Sequence, residues 1–199
     1  MMFPPDRSRQ CGFTLIELLI VVSLMGVGAS VTAHSFRGFR DSQQARAGVT
    51  RLLNVIQFAK GRASSTNQVV VLDFAPSGLT PQAGFVEVFL DLDGNGVSDP
   101  GEDLQAALPN AESYGGKLGL LLGSQIALSG VAAGSGPLGQ STAGDGVPFG
   151  NNQLSVLPDG TLSEAGVITL VDGYGQVYGI TASVGGGVRV WTHDGTTWR

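Results

Sequence analysis

The stretch Gly12-Phe13-Thr14-Leu15-Ile16-Glu17-Leu18-Leu19-Ile20-Val21, GFTLIELLIV, sets a single carboxylate at the head of an apolar run. From Phe13 to Ala33 every residue is apolar or small except Glu17 and the hydroxyl residues Thr14, Ser23, Ser30 and Thr32. About 20 apolar residues at 1.5 Å rise cross a hydrocarbon core of roughly 30 Å, so the run predicts a membrane-spanning helix over 13–35. A carboxylate in mid-bilayer costs roughly 2.5 to 3.5 kcal/mol, and less near a helix end, so Glu17 calls for a partner or an interfacial position. A cleaved secretory signal has an apolar core of about 7 to 15 residues followed by a small-residue cleavage site. Here the small residue, Gly12, precedes the run, behind the short basic segment MMFPPDRSRQC.

Charge is unevenly placed. Residues 1–72 hold eight Lys or Arg against three acids, and residues 73–199 hold three against thirteen, so the net charge of -5 conceals a basic front and an acidic back. The acidic part repels nucleic-acid phosphates and suits a divalent cation better. The one cysteine, Cys11, stands before the apolar run, which excludes an internal disulfide and a lipoprotein-type acylation after the run. The 31 glycines and the scarcity of charge predict short strands joined by many turns.

The Gly12–Leu19 segment resembles the class III signal of type IV pilins and type II secretion pseudopilins. That resemblance implies a leader of residues 1–12, cleavage by a prepilin peptidase between Gly12 and Phe13, and N-methylation of Phe13. It further implies that Glu17, the fifth mature residue, meets the N-terminal amine of a neighbouring subunit in the fibre. The alternative reading of Glu17 is a side chain that snorkels to the interface in an ordinary single-pass anchor. The chain reads Ala33-His34-Ser35-Phe36 where such proteins often carry a proline, and Arg37, Arg40 and Arg46 outnumber Arg7 and Arg9. Loop charge alone therefore does not select the orientation, and the leader motif does.

Past the apolar run, Phe36, Phe39, Val49, Leu52, Leu53, Ile56, Ala59 and Ala63 recur at near-helical spacing with Arg and Lys between them. They predict an amphipathic continuation of the helix over 36–66, lying on the downstream sheet. Residues 69–74, 85–90, 118–122, 154–157, 167–171, 177–184 and 188–192 read as strands, the last three separated by Asp172-Gly173 and Gly185-Gly186-Gly187 as in an antiparallel meander. The expectation is an α+β, pilin-like fold: a long N-terminal helix packed on an acidic antiparallel sheet domain of residues 67–199. The Gly/Ser/Ala/Pro-crowded segment 129–152 reads as a mobile loop.

DLDGNGVSDPGE, residues 91–102, fits a twelve-residue calcium loop. Asp91, Asp93 and Asn95 supply oxygens, Gly96 the turn, Val97 a carbonyl, Asp99 a further oxygen and Glu102 the closing carboxylate. Its flanks, a strand-like 85–90 and Pro100-Gly101, are not those of an EF-hand. The competing reading is an Asx-rich turn that binds no metal. Residues 88–102 and Leu154 to Leu170, LSVLPDGTLSEAGVITL, resemble segments of the GspH/FimT group of minor pilins and pseudopilins.

Only His34 and His193 exist, and there is no nucleophile elbow, phosphate-binding glycine motif or zinc spacing, so no enzymatic activity is expected and no cofactor is required, Ca2+ being the one candidate. The resemblance implies a subunit of a type IV pilus or type II secretion pseudopilus, located near its tip. Its implied partners are other pilin subunits, the prepilin peptidase and the inner-membrane assembly platform. Two alternatives stay open: DNA capture during transformation, which calls for clustered cations where only Lys117, Arg189 and Arg199 stand, and a membrane-anchored calcium-binding module.

Overall fold

A computed structural model describes residues 14–76, 79–102, 104, 111–114, 117–123, 126–130, 136–137 and 142–199, with the side chains at 31–41, 82, 112–114 and 117–118 left outside the description. Gly12 and Phe13 lie outside the described residues. The chain divides between Arg40 and Asp41 into two compact units.

One helix, α1, runs from Leu15 to Thr66 and passes through Ala33-His34-Ser35-Phe36. Thr14 starts it: its hydroxyl oxygen accepts the Glu17 N–H at 3.3 Å, as an N-cap does for the third residue of a helix. Asn67, at φ 54°, ends it in the left-handed region, and the Gln68 N–H closes back on the Ala63 carbonyl at 3.3 Å.

Within the unit 41–199, Ala45, Val49, Leu52, Val55, Ile56, Ala59 and Ala63 form the buried stripe of α1. Leu53, expected in that stripe, is only half-buried, while Ala45 and Val55 belong to it. Fully burying a side chain such as Leu52 or Ile56 contributes about 1.5 to 3 kcal/mol, which is why this stretch of helix stays on the sheets.

Among the described residues nine strands follow: β1 (Val69–Asp73), β2 (Phe85–Asp91), β3 (Glu112–Tyr114), β4 (Lys117–Leu121), β5 (Ile126–Leu128), β6 (Gln153–Val156), β7 (Gly166–Asp172), β8 (Val177–Ala182) and β9 (Val188–His193). The fold is α+β and antiparallel as expected, but the strands divide into two sheets, β3-β4-β2-β1-β6 and β5-β7-β8-β9. Alternation along the strands sets Val70, Leu72, Val86, Val88 and Leu90 into the core cluster shared with α1, along with Leu154, Ile168 and Ile180 from the partner strands. Leu162 ties the sheets together: it bridges Val156 after β6, and its N–H donates to the Val184 carbonyl beyond β8.

β3 and β5 have no counterpart in the sequence reading; each is three residues long, too short for alternation to register. Of the segment 129–152, residues 131–135 and 138–141 lie outside the described residues, and the remainder is tied to the core. Val147 and Phe149 are buried, the Phe149 ring lies 6.2 Å from that of Phe74, and the Thr169 N–H donates to the Gly146 carbonyl at 2.8 Å.

Candidate functional site

Two places carry the residues that the sequence singles out, one in each unit. In the first, Glu17 occupies the opening turn of α1. The Thr14 hydroxyl sits 3.5 Å from its carboxylate and takes the Glu17 N–H, so Thr14 and Glu17 form a local cap of the Thr-x-x-Glu kind. A negative charge there also meets the partial positive charge of the helix N-terminus, which stabilises by roughly 0.3 to 1 kcal/mol. The sequence carried this signal in plain view, since Thr14 and Glu17 are three residues apart.

Around and after Glu17 the apolar side chains are open on every side. Leu15 is 85% exposed, Leu24 68% and Met25 69%, and even the least exposed of the large residues, Val21, is at 43%. Ser23 and Ser30 turn their hydroxyls inward, donating to the carbonyls of Leu19 and Val27 at 2.8 Å each. Those back-bonds satisfy the polar groups within the helix, so the surface presented outward is apolar apart from its first turn. Among the described residues no helix is long and apolar enough to cross a membrane; the described side chains of the run end at Ser30, short of the roughly 20 that a span requires.

In the second unit, the loop after β2 closes on itself. The Leu90 N–H donates to the Glu102 carbonyl at 2.9 Å, and the buried Glu102 carboxylate takes the N–H of Leu92 at 2.7 Å and of Asp99 at 3.0 Å. Asp91 accepts from the Gly94 N–H at 2.8 Å and Asp93 from the Asn95 N–H at 3.1 Å. The Asn95 amide nitrogen bridges the Asp93 and Asp99 carboxylates at 2.8 Å each, and its oxygen takes the Val97 N–H. Gln153, which sequence reasoning missed, latches the loop to β6 by donating to the Gly96 carbonyl at 2.8 Å and to Asp73 at 3.1 Å. No sequence spacing announces it, because 57 residues separate Gln153 from Gly96.

Asp91, Asp93 and Glu102 each bring one carboxylate oxygen within 4.8 Å of the others. Oxygens 2.3 to 2.6 Å from a Ca2+ ion lie at most about 5 Å apart, so the spacing is of the right size. The same three carboxylates are engaged by N–H groups of the loop, and a carboxylate has lone pairs for both duties. Asn95 and Asp99 are joined to this set through the amide bridge, whereas Val97 meets it through its N–H.

His193 and Asp194 line an open cleft of about 430 Å³ that also includes Ser42, yet the chemistry of a triad is missing. The His193 Nδ1 accepts the Gly195 N–H at 3.2 Å, and its ring meets Trp198 edge-on at 4.8 Å. The Asp194 carboxylate is taken by the N–H groups of Thr197 and Thr196 and by the Thr196 hydroxyl, which hold its pKa far below the usual carboxylate range. Arg199 adds an ion pair at 3.0 Å. Asp194 therefore staples the turn that follows β9 rather than orienting a base. Asp159 does the same in the turn after β6, its pKa lowered by the Thr161 hydroxyl and N–H.

The prokaryotic N-terminal methylation motif matches residues 7–33, a segment that spans Gly12, Phe13 and Glu17. Two fimbrial proteins of Pseudomonas aeruginosa are each 35% identical to this chain over 92 residues, covering 45% of this chain and 56% of their own length. The chain thus spans about half the length of the curated relatives it matches. No solved structure matches.

Proposed function

We propose that this chain, a type IV pilin-like protein, is a minor pilin or pseudopilin that is cut between Gly12 and Phe13 and polymerises through the apolar start of α1. The observation that carries the proposal is the run Leu18 to Val27, whose large apolar side chains are exposed on every side of the helix behind a single first-turn carboxylate, Glu17. Such a surface is stable only in lipid or against other apolar helices, and a subunit that moves from one to the other uses both. Cleavage creates a cationic amine on Phe13, and Glu17 then has a partner of opposite sign on a neighbouring subunit. Before assembly the chain sits in the inner membrane with the sheet domain outside the cytoplasm; afterwards it is part of a fibre, near the tip. Its work is structural and involves no catalysis.

The test compares wild type with Gly12→Val and Glu17→Val in the native host, following the sheared fibre fraction and the membrane fraction. Gly12→Val is expected to stay at precursor size in the membrane, and Glu17→Val to be cut yet enter fibres poorly. Normal entry of both variants sinks the proposal. Scoring a gene deletion for surface pili, enzyme export and DNA uptake assigns the fibre; lost export favours a pseudopilus and lost pili a minor pilin.

A second reading belongs to the loop after β2. The carboxylates of Asp91, Asp93 and Glu102 support a calcium site completed by Asn95, Val97 and Asp99. Calorimetric titration of the full chain in detergent with Ca2+ is expected to release heat that Asp93→Asn diminishes, and a flat titration rejects the site. The DNA-capture reading gains little: among the described side chains of the sheet domain, Arg189 stacks 5.2 Å over Trp191 and Arg199 is paired with Asp194.

A further inference from the structure

The loop after β2 contains the only Asn-Gly pair of the chain, Asn95-Gly96. We propose that Asn95 is a site of spontaneous deamidation, and that its conversion removes the amide that now holds the loop's carboxylates together. The proposal is independent of the calcium reading, because it concerns the amide and not an ion.

Four features of the loop converge on this chemistry. Gly96 has no side chain to block approach of its own backbone nitrogen to the Asn95 side-chain carbon, and its φ of 70° places it where few other residues go. Its N–H takes part in none of the hydrogen bonds of the described residues, so the nucleophile is uncommitted. The Asn95 side-chain oxygen Oδ1 accepts the Val97 N–H, which polarises the Cγ to be attacked and supports the oxyanion that forms on it. Asn95 itself is exposed, so water and buffer reach it.

In the first step the Gly96 nitrogen loses its proton to water or buffer and bonds to the Asn95 Cγ; the Cγ–Nδ2 bond breaks and the nitrogen leaves as ammonia, giving a succinimide. Water then adds to either carbonyl and opens the ring, yielding aspartate or isoaspartate at position 95. The net change is one water consumed and one ammonia released.

The contacts of Nδ2 set the consequence. It donates to Asp93 and to Asp99, the nitrogen lying 2.8 Å from an oxygen of each. The product places a third carboxylate there, so two attractive contacts become two repulsive ones. In the isoaspartate form the backbone also lengthens by one carbon beside Gly96, whose carbonyl is the anchor for Gln153. The loop is expected to open in aged molecules, or to require a cation in place of the amide.

The full chain in detergent, incubated at mildly alkaline pH in 18O-labelled water and digested in acid, tests this by peptide mass spectrometry. Labelled aspartate and isoaspartate are expected to accumulate at position 95 while Asn54, Asn67 and Asn151 keep their amides. Gly96→Ala should slow the conversion and Asn95→Gln should suppress it. Retention of the Asn95 amide over an interval that converts most of a free peptide of residues 92–98 overturns the proposal. For the consequence, Asn95→Asp is expected to speed amide exchange at Gly94 and Val97 relative to wild type; unchanged exchange refutes the bridging role.

Discussion

A carboxylate in the first turn of a helix faces N–H groups that have no carbonyl to bind, so Glu17 has local work to do before any neighbouring subunit arrives. Glu17→Gln keeps the shape that caps with Thr14 and removes the charge, which separates the two roles. Its helix is expected to start at the same residue, read by amide protection of Leu18, while fibre entry falls as it does for Glu17→Val. Equal fibre entry by Glu17→Gln and wild type assigns the residue to capping alone. At the other end of the chain, the depressed pKa of Asp194 fixes the sign of a pH effect. The charged form is favoured by folding, so its stabilisation is complete above the ordinary aspartate value of about 3.9 and disappears only as pH falls through the lower folded value. The Asp194 carboxyl signal in NMR should stay unprotonated through pH values where an ordinary aspartate titrates, and Thr197 amide protection should persist with it. Titration at the ordinary value contradicts the staple.

At the scale of elements, the glycines of α1 are not equivalent. A Cβ on Gly48 meets Ile126 Cγ2 and the Leu122 carbonyl, both at 2.7 Å, whereas one on Gly61 meets nothing within 4 Å. Gly61→Ala should therefore stabilise by about 0.5 to 1 kcal/mol through helix propensity. Gly48→Ala should destabilise by about 1 to 3 kcal/mol, because crowding in a packed site outweighs that gain. Leu52→Ala, a fully buried truncation, should cost about 2 to 5 kcal/mol. Urea unfolding of the full chain in detergent ranks the three, and a stabilising Gly48→Ala would show that the helix does not approach β5 so closely. These glycines also mark what a sequence discloses. The amphipathic stretch of α1 and the meander β7-β8-β9 were legible because their periods of 3.6 and 2 run for several residues. Gly48 stood unremarked, since its role depends on Leu122 and Ile126 more than seventy residues away. The division into two sheets was hidden for the same reason: strand pairing is decided by long-range packing, and β3 and β5 are too brief to show a pattern.

For the molecule as a whole, chemistry is divided as charge is. The front carries an apolar, locally capped helix with arginines after it, and the back carries an acidic, turn-rich domain whose Asp and Asn side chains fasten their own loops. The N-terminal methylation motif around Gly12, Phe13 and Glu17 was legible because it is contiguous. In the loop after β2, the spacing of the acidic residues was visible but the loop's closure was not. Gln153 reaches it from β6, and Asn95 acts through its amide nitrogen, a contact that a ligand template does not contain. Everything proposed for the front half depends on removal of a leader to make a polymerising subunit. Intact-mass and fragment-ion analysis of the protein taken from its native membrane reads that step without intermediaries. A mature chain that begins at Phe13 with a methyl group on its amine is expected; a chain that retains residues 1–12 would contradict it.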